Sequence, residues 1–444
     1  TNAVINEGIG HALALETGVA ALGNMEAVQF HPTAIVPAGI LMTEGCRGDG
    51  GLLKDVDGHR FMPDYEPEKK ELASRDVVSR RMEQHIAAGK GVKSRFGEHV
   101  WLDITLLGEH HIKHNLREVY DICRYFMGVD AVKDMIPVRP AQHYTMGGVR
   151  TDHTGQSRQL KGLFAAGESA CWDMHGFNRL GGNSVAETVV AGMIVGEFIA
   201  DFCDREDLNI PVGLAREFVA REQARLDALL NGNGTESASQ IKAEMQSLMT
   251  ERVGIFRTGE NLTYAVETLQ KLLERSRRVG VPYKAVGANP ELVVAYRLPR
   301  MLKLALTVAY GALARTESRG AHFRHDYPRR DDAQWLKRTL ATWKNESDTL
   351  PTLAYEPLDV KKMELPPGWR GYGAKDYIDH PDTAARLAQV EALKQKCGAD
   401  RFALQAALLP FENLLPARLR GRNQRIDDVI AAQPAQRGVA MESK

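Results

Sequence analysis

The sequence predicts an α/β fold that is interrupted by an inserted α+β domain and followed by a helical domain and a small C-terminal domain. Strand–turn–helix patterns occupy residues 1–33 and return at 141–204, on either side of a turn-rich, charged block at 34–140. Apolar residues then follow a helical period over 205–330, and prolines interrupt the pattern over 331–444. Each change of pattern indicates a new layer of packing, so we place the domain boundaries there.

The composition is that of an ordinary globular protein and argues against several classes of function. The 444 residues are enough for two or three hydrophobic cores, with 43% hydrophobic and 26% charged residues. The formal net charge is zero, which gives no electrostatic footprint for nucleic-acid binding. The five cysteines include no C-x-x-C pair, which argues against a zinc ribbon or an iron–sulfur cluster and suits a reducing compartment.

The sequence shows no segment that is apolar and long enough for a membrane span. The longest apolar stretch lies at 188–200, and Glu197 interrupts it. The first residues, Thr1 to Ala3, include neither an initiator methionine nor a basic signal-peptide region. We therefore expect any membrane association to come through a partner.

Periodicity and punctuation predict the individual elements. In the α/β part we expect a helix at 12–22, a short apolar segment at 27–30, a buried strand at 163–166 and a strongly apolar helix at 184–202. In the helical domain we expect helices at 212–230, 241–249, 262–279 and 291–315.

A glycine-rich segment at 178–187 is the first candidate site. Its two glycines allow a ligand to approach the backbone closely, and Ser184 and Glu187 have the spacing of a capping box, which predicts a helix start. Helix N-termini bind electron-rich groups, and Arg179 just before this one can bind a carboxylate through two hydrogen bonds. The alternative is a glycine-rich loop with a capped helix and a surface arginine.

Three further segments are rich in hydrogen-bond donors. His31 lies in the segment 29–33, the segment 43–48 contributes Thr43, Glu44 and Arg47, and His143 precedes two glycines in 143–148. These side chains could meet an anion. The alternative is that each histidine is structural, which is the commoner case for a lone histidine.

Two other positions could contribute to a site. Gly167 and Glu168 follow the predicted strand at 163–166, and ligands of open α/β sheets bind at the carboxyl ends of strands. Arg75 follows Ser74, which we predict to cap a helix with Asp76 in its first turn. The alternatives are a simple turn at Gly167 and a solvated charged helix at Arg75.

Several motifs resemble functional sites only superficially. His110 and His114 lack the order of an H-E-x-x-H zinc motif, which favours a surface helix. Cys171 stands where a nucleophile elbow requires glycine. The basic run at 418–425 is typical of a solvated or partner-facing end.

Taken together, the candidate segments identify a family. The chain resembles the flavoprotein subunits of fumarate reductases and succinate dehydrogenases, the complex II group, over nearly its whole length. The segments that carry the resemblance, in matching order and spacing, are 29–33, 43–48, 74–79, 143–148, 162–168, 178–187 and 315–322. Within the group, 60–67 and 172–177 look like menaquinol-linked fumarate reductases with a di-haem membrane anchor.

The resemblance implies an FAD-binding fold with an inserted capping domain, and roles for individual residues. The substrate carboxylates would be held by His31, Thr43, His143 and Arg179. A proton relay would comprise Glu44, Arg47 and Arg75, with Arg75 as the donor. FAD would be contacted by Gly167, Glu168, Asn183, Ser184 and Val185, and no metal is expected.

The resemblance also implies a reaction and partners. Hydride would pass from reduced FAD to fumarate, with electrons supplied from quinol through an iron–sulfur subunit and a cytochrome b membrane anchor. The protein would lie peripherally on the cytoplasmic face of the inner membrane. FAD would be attached covalently to a histidine in an N-terminal part that we expect to precede this sequence, because 8–13 lacks the third glycine of G-x-G-x-x-G. Ile9 stands where many relatives carry an aspartate that contacts the flavin.

Three alternatives stay open at this point. The physiological direction could be succinate oxidation, which uses the same residues. L-Aspartate oxidase shares the fold and several motifs, although Met146 and the segment 315–322 look more like complex II. A chain without the FAD fingerprint could also be a non-catalytic fragment that only docks an iron–sulfur subunit. From chemistry alone His143 would be the default proton donor, because free arginine has a pKa of about 12.5 or more.

Overall fold

The computed structural model describes residues 1–358 except 4, 208 and 286, together with 388, 392–393, 395–398 and 403. The helices are α1 (Ile9–Glu16), α2 (Gly45–Gly48), α3 (Met62–Tyr65), α4 (Arg75–His85), α5 (Glu109–His114), α6 (Arg117–Ile122), α7 (Asn183–Arg205), α8 (Val212–Asn231), α9 (Ala238–Arg252), α10 (Gly259–Ser276), α11 (Pro290–Ala314) and α12 (Asp332–Trp335). The strands are β1 (Leu22–Gly23), β2 (Val28–Ile35), β3 (Leu52–Lys54), β4 (Val92–Ser94), β5 (Gly97–Asp103), β6 (Ile136–Thr145), β7 (Gly148–Arg150), β8 (Ala170–Cys171), β9 (Lys337–Thr342) and β10 (Thr352–Pro357).

The strands form two sheets with different roles. One has the order β10-β9-β1-β7-β8, in which β7 and β8 are parallel while β1 is antiparallel to both of its neighbours. The other has the order β2-β6-β5-β3 and is antiparallel, with β4 paired to β5. The long antiparallel pair β2 and β6 runs across both of the boundaries expected for the inserted domain, at 33 and at 140. This pair therefore leads directly from the inserted domain to the segments that carry His31 and His143.

The described residues contain two large hydrophobic cores and one small buried cluster around Tyr144. One packs α9, α10 and α11 against α1 and β1, with Leu269, Leu298 and Leu306 fully buried. The other lies inside the inserted domain, where Met82 of α4 packs among the buried side chains of β3, β5 and β6. Separate cores are what a capping domain requires, since each can be buried independently of the other.

The helical domain has the predicted helices. The helices expected at 212–230, 241–249, 262–279 and 291–315 correspond to α8, α9, α10 and α11, with ends that differ by a few residues. Three of these helices begin with a side-chain cap, because Ser237, Thr258 and Asn289 accept hydrogen bonds from the backbone amides of Gln240, Asn261 and Leu292. The 3.6-residue apolar period is strong in α10 and weaker in the other three helices, which are also marked by long segments between turn residues.

Two predictions in the α/β part are wrong. The helix expected at 12–22 is α1, which ends at Glu16 because Gly18 adopts a left-handed φ of 76° and the chain continues into β1. The strand expected at 163–166 is not formed: Phe164 makes an isolated bridge to Gln156, and these residues are half-buried. A short apolar run cannot by itself show whether partner strands are available.

The boundaries at 33, 140, 204 and 330 stay predictions. Residues 1–331 and 338–356 form one compact unit, because β9 pairs with β1; a second unit comprises 332–337 and 357–444. The basic run at 418–425 lies outside the described residues. Among the helices that the structure describes, none combines the length and apolarity needed to cross a bilayer.

Candidate active site

The candidate site lies where four segments converge. β2 provides His31, β6 provides His143, the first turn of α4 provides Arg75, and the loop before α7 provides Arg179. All four residues are at least partly buried, and the rings of His31 and His143 meet edge to face with their centroids 5.2 Å apart. Residues far apart in sequence thus form one cluster, as the resemblance implied.

His31 is a neutral hydrogen-bond donor in this cluster. Its Nδ1 accepts from the Thr33 amide at 3.2 Å, so the ring proton lies on Nε2. Burial, followed by the charges of Arg75 and Arg47, holds the pKa of His31 well below its usual range. The Nε2 atom is buried and has no partner in the described structure.

His143 and Arg179 form a hydrogen-bonded pair. The Arg179 Nη2 lies 2.9 Å from His143 Nε2, and since a guanidinium can only donate, this imidazole nitrogen accepts. Burial, then the charges of Arg75 and Arg179, lower the pKa of His143 to about 4. His143 is therefore neutral near pH 7, with Nε2 occupied, and is poorly suited to give a proton to substrate from that nitrogen.

Arg75, Glu44 and Arg47 form a connected chain of charges. Arg75 donates to Glu44 Oε2 from Nε at 2.9 Å, with its Nη2 at 2.8 Å from the same oxygen, and Arg47 Nη2 lies 4.0 Å from Glu44 Oε1. Arg47 also donates to the Glu71 carbonyl, and burial lowers its pKa. The carboxylate of Glu44 therefore lies between two guanidinium groups, an arrangement that can pass a proton from one to the other.

The backbone of the glycine-rich loop is in close contact with this relay. A Cβ atom at Gly181 would lie 2.6 Å from Glu44 Oε2 and 3.3 Å from Arg75 Nη2. Only glycine fits without displacing the carboxylate. The loop that carries Arg179 therefore packs directly against the side chains of Glu44 and Arg75.

Four buried donor atoms, on three side chains of the cluster, have no hydrogen-bond partner in the described structure. They are His31 Nε2, Arg179 Nε and, on Arg47, both Nε and Nη2. Leaving a buried cation or N–H unpaired is costly, so such groups in a concave site indicate an electron-rich ligand. Two cationic side chains and a histidine donor match an anion with more than one carboxylate.

Thr43 is the predicted substrate residue that the described contacts do not join to the cluster. It is exposed on the loop before α2, where its hydroxyl accepts from the Gly45 amide at 3.3 Å. Its role in binding substrate stays a prediction.

A cavity of about 830 Å³ adjoins the cluster and includes His143 in its wall. Glu168 lies on the same wall, and the hydroxyl of Ser184 donates to its Oε1 at 2.5 Å. The volume is of the size that holds a large cofactor, and the carboxylate can accept from ribityl or ribose hydroxyls. These residues would fit FAD beside the anion site.

The remaining predicted cofactor residues surround the start of α7. Asn183 is the first residue of the helix, and Val185 follows with 70% of its surface exposed. Gly167 has a φ of 59°, and a side chain there would meet Thr188 Oγ1 at 2.9 Å. Their contacts with FAD stay predictions.

The predicted capping box at Ser184 and Glu187 is wrong. Gly182, in a left-handed conformation, precedes the first helical residue, and no side chain caps the helix. Ser184 binds Glu168 instead, and Glu187 accepts hydrogen bonds from Tyr144 and His175, both at 2.8 Å. Both side chains therefore bind residues of other segments instead of the backbone amides at the start of α7. At α4 the position of Ser74 is right, but its hydroxyl binds Asp76 rather than a backbone amide.

Sequence reasoning missed two residues that hold the cluster together. Gln29, fully buried, donates to the Arg179 carbonyl at 2.6 Å and accepts from Arg75 Nη1 at 3.4 Å. Tyr144 places its ring 4.6 Å below the Arg179 guanidinium. Each is a sequence neighbour of a predicted residue, but neither carries a motif of its own.

Comparison with known proteins agrees with this geometry. Residues 1–185 match a model described as FAD binding domain, and residues 242–372 match one described as fumarate reductase flavoprotein C-term. The chain is 52% identical to the fumarate reductase flavoprotein subunit of Helicobacter pylori, over 96% of this chain and 64% of that protein. It is 38% identical to the mitochondrial succinate dehydrogenase flavoprotein subunit of Oryza sativa, over 84% of this chain and 60% of that protein.

A solved structure shows the same fold. A mutant Escherichia coli quinol fumarate reductase superposes with a TM-score of 0.78 at 37% identity, covering 85% of this chain and 65% of that one. The fold and site therefore define part of an FAD-binding flavoprotein with a capping domain. The chain belongs to the family of fumarate reductase and succinate dehydrogenase flavoprotein subunits, and it spans slightly less than two thirds of the length of these relatives.

Proposed function

We propose that the protein containing this chain reduces fumarate to succinate, a reaction that the same residues can run in the direction of succinate oxidation. The observation that carries the proposal is that two buried donor atoms, His31 Nε2 and Arg179 Nε, have no hydrogen-bond partner among the described residues. They converge beside a cavity that fits FAD, in a chain whose relatives are fumarate reductase and succinate dehydrogenase flavoproteins.

Binding of the two carboxylates falls to four residues. His31 donates from Nε2 and Arg179 donates from Nε, while His143 and Thr43 complete the site. His143 Nε2 accepts from Arg179 Nη2 at 2.9 Å in the described structure and leaves this hydrogen bond when its ring turns toward a carboxylate. Donors held rigidly in a buried site stabilise charge that develops on the carboxylates during reaction.

FAD, when bound, supplies the hydride, and we assign the proton to Arg75. Arg75 is the relay member whose guanidinium lies nearest the loop of Arg179, as the close approach at Gly181 indicates. Glu44 accepts hydrogen bonds from it and can return a proton that Arg47 supplies. His143 is the weaker candidate, because its Nε2 accepts from Arg179 and its pKa is about 4.

The wider assembly is also part of the proposal. We infer that electrons arrive from quinol through an iron–sulfur subunit and a cytochrome b anchor, and that the protein lies peripherally on the cytoplasmic face of the inner membrane. The support is the likeness to a quinol fumarate reductase. Covalent attachment of FAD to a histidine of the parent flavoprotein, and a menaquinol-linked di-haem anchor, rest on the sequence resemblance.

The first experiment is an assay of the parent holoenzyme with fumarate and a reduced viologen dye, in wild-type and Arg75→Ala forms. We expect the variant to lose at least about 1000-fold in kcat while malonate, an unreactive dicarboxylate, still shifts the flavin absorbance. Arg139→Ala is the matched control, since this arginine pairs with Glu83 in the capping domain and contacts none of the cluster.

The outcomes are distinct. Substantial turnover by Arg75→Ala would show that Arg75 is not the proton donor. The assignment of fumarate as the substrate would still stand. A wild-type holoenzyme that contains flavin but ignores fumarate and succinate, and that oxidises L-aspartate instead, would overturn the proposed reaction. A holoenzyme without flavin would leave only a docking role.

A further inference from the structure

Behind the candidate substrate site lies a second polar cluster that the proposed reaction does not use. Glu187 Oε2 accepts from the Tyr144 hydroxyl at 2.8 Å and from His175 Nε2 at 2.8 Å. The side chains of Glu187 and His175 are 3% and 9% exposed, and Tyr144 is 2% exposed. Burying a carboxylate, a phenol and an imidazole is costly because each must be desolvated, and here their mutual hydrogen bonds offset that cost.

The network reaches the substrate site through one side chain. The ring of Tyr144 lies under Arg179, with the guanidinium carbon 4.6 Å from the ring centroid. This distance is that of a cation–π contact, which also aligns the plane of the guanidinium. Arg179 needs such support, because it makes no ion pair with any residue that the structure describes.

The other contacts of Arg179 leave its orientation incompletely determined. Nη1 donates to the Leu180 carbonyl at 3.1 Å, and Nη2 binds His143, which is itself a predicted substrate residue. A group that binds substrate cannot also hold its neighbour fixed throughout the reaction. The ring of Tyr144 is the contact that can persist when His143 turns toward a carboxylate.

We propose that Tyr144, Glu187 and His175 form a positioning network that holds the Arg179 guanidinium for dicarboxylate binding. Glu187 and His175 fix the hydroxyl and edge of Tyr144, and the ring face of Tyr144 fixes Arg179. The 23-residue helix α7, which carries Glu187 in its first turns, anchors the network rigidly. These three are positioning residues, and the inference rests on the proposed function.

The burial of Tyr144 keeps its hydroxyl in the donating form. Burial, and then the hydrogen bond to Glu187, raise the pKa of Tyr144 far above its ordinary value. The phenol therefore stays protonated at working pH and can always donate to the carboxylate. Removing the hydroxyl should loosen the ring, whereas removing the ring should release Arg179 itself.

The test uses the parent holoenzyme and two substitutions of one residue. Tyr144→Phe retains the ring, and we expect malonate to bind about 3- to 5-fold more weakly, as loss of one hydrogen bond predicts. Tyr144→Leu removes the ring, and we expect binding to weaken by about 10-fold or more. The KM for fumarate should rise with the malonate Kd, while kcat falls less.

A double-mutant cycle tests whether Glu187 acts through Tyr144. If it does, Glu187→Ala combined with Tyr144→Phe should bind malonate no more weakly than Glu187→Ala alone. If the two substitutions instead weaken malonate binding by independent factors that multiply in the double variant, the proposed network is wrong. Should Glu187→Ala fail to fold, Tyr144→Phe differs from wild type by a single oxygen atom and keeps the test decisive.

Flavin content and melting temperature are measured for each variant. A variant that binds malonate weakly but keeps the wild-type flavin content and melting temperature has lost positioning of Arg179 and not its overall fold. Tyr65→Phe is the matched control, because it removes a tyrosine hydroxyl that binds His85 at 3.0 Å within the capping domain; it should leave the malonate Kd unchanged. Equal effects of Tyr144→Phe, Tyr144→Leu and the control would overturn the inference alone. Failure of the wild-type holoenzyme to bind malonate or reduce fumarate would overturn the proposed function and the inference with it.

Discussion

Single residues decide the chemistry of this site through burial and hydrogen-bond geometry. His31 and His143 are both neutral, yet they differ in use: one has a free donor nitrogen, and the other accepts from Arg179. The sequence alone could not separate these roles, because tautomer and partner depend on the fold. General acid–base chemistry alone favours His143 as the acid and the family resemblance favours Arg75; the low pKa of His143 and its occupied nitrogen weigh against His143.

Gly181→Ala should impair the proton relay. The new methyl group would push on Glu44 and Arg75, so we expect kcat for fumarate reduction to fall roughly 10-fold with a smaller change in malonate binding. Gly48→Ala is the matched control, since a Cβ there meets nothing within 4 Å. Steady-state kinetics of the holoenzyme measures both, and equal kcat values for the two variants would contradict the close fit.

Gln29→Leu should affect both halves of the site together. Gln29 joins the Arg179 carbonyl to Arg75 Nη1, so its loss leaves buried groups of both segments unpaired. We expect kcat to fall and the KM for fumarate to rise, each by about 10-fold. Glutamate, which cannot donate to the carbonyl, should not restore activity; a change in KM alone would show that Gln29 supports only the Arg179 loop.

At the scale of elements, helices were predicted better than strands. The helices α8 to α11 are long and lie between turn residues, and α10 shows a strong apolar period, so their existence and approximate ends are visible in the sequence. The pair β2 and β6 is long, but its register contains two irregularities and depends on partners more than one hundred residues apart. Such pairing is a property of the tertiary fold.

Leu269→Ala should destabilise the helical domain. Leu269 lies in α10, fully buried in the core with α9 and α11, so we expect a loss of about 2–5 kcal/mol in the free energy of unfolding. Leu106→Ala removes the same atoms from a side chain that is 53% exposed and should cost less than about 0.5 kcal/mol. Denaturant unfolding followed by circular dichroism compares them, and similar losses would contradict the assigned core.

At the scale of the whole molecule, buried histidines link stability to pH. Burial is the largest cause that lowers the pKa of His31, His99, His143 and His322. Below the ordinary histidine value of 6.5 the unfolded chain therefore binds more protons than the folded one. The stability contributed by these neutral side chains is present above pH 6.5 and decreases as the pH falls below it; for His143 the loss extends to about pH 4.

We accordingly expect the melting temperature of the holoenzyme to fall between pH 7 and pH 5. Saturating malonate should oppose the fall, because a bound dianion favours protonated histidines at the site. Differential scanning calorimetry at constant ionic strength measures both effects. A melting temperature that stays flat or rises over this interval would show that the buried histidines do not remain neutral.

The sequence by itself determined the family, the helical domain and most of the residues that converge on the anion site, because motifs and periodicity are local properties of the chain. The tertiary structure decided which nitrogen of each histidine is free, that Glu187 binds Tyr144 instead of capping α7, and that Gly181 lies against Glu44. These features depend on contacts between segments distant in sequence, where burial and competing partners override local preference.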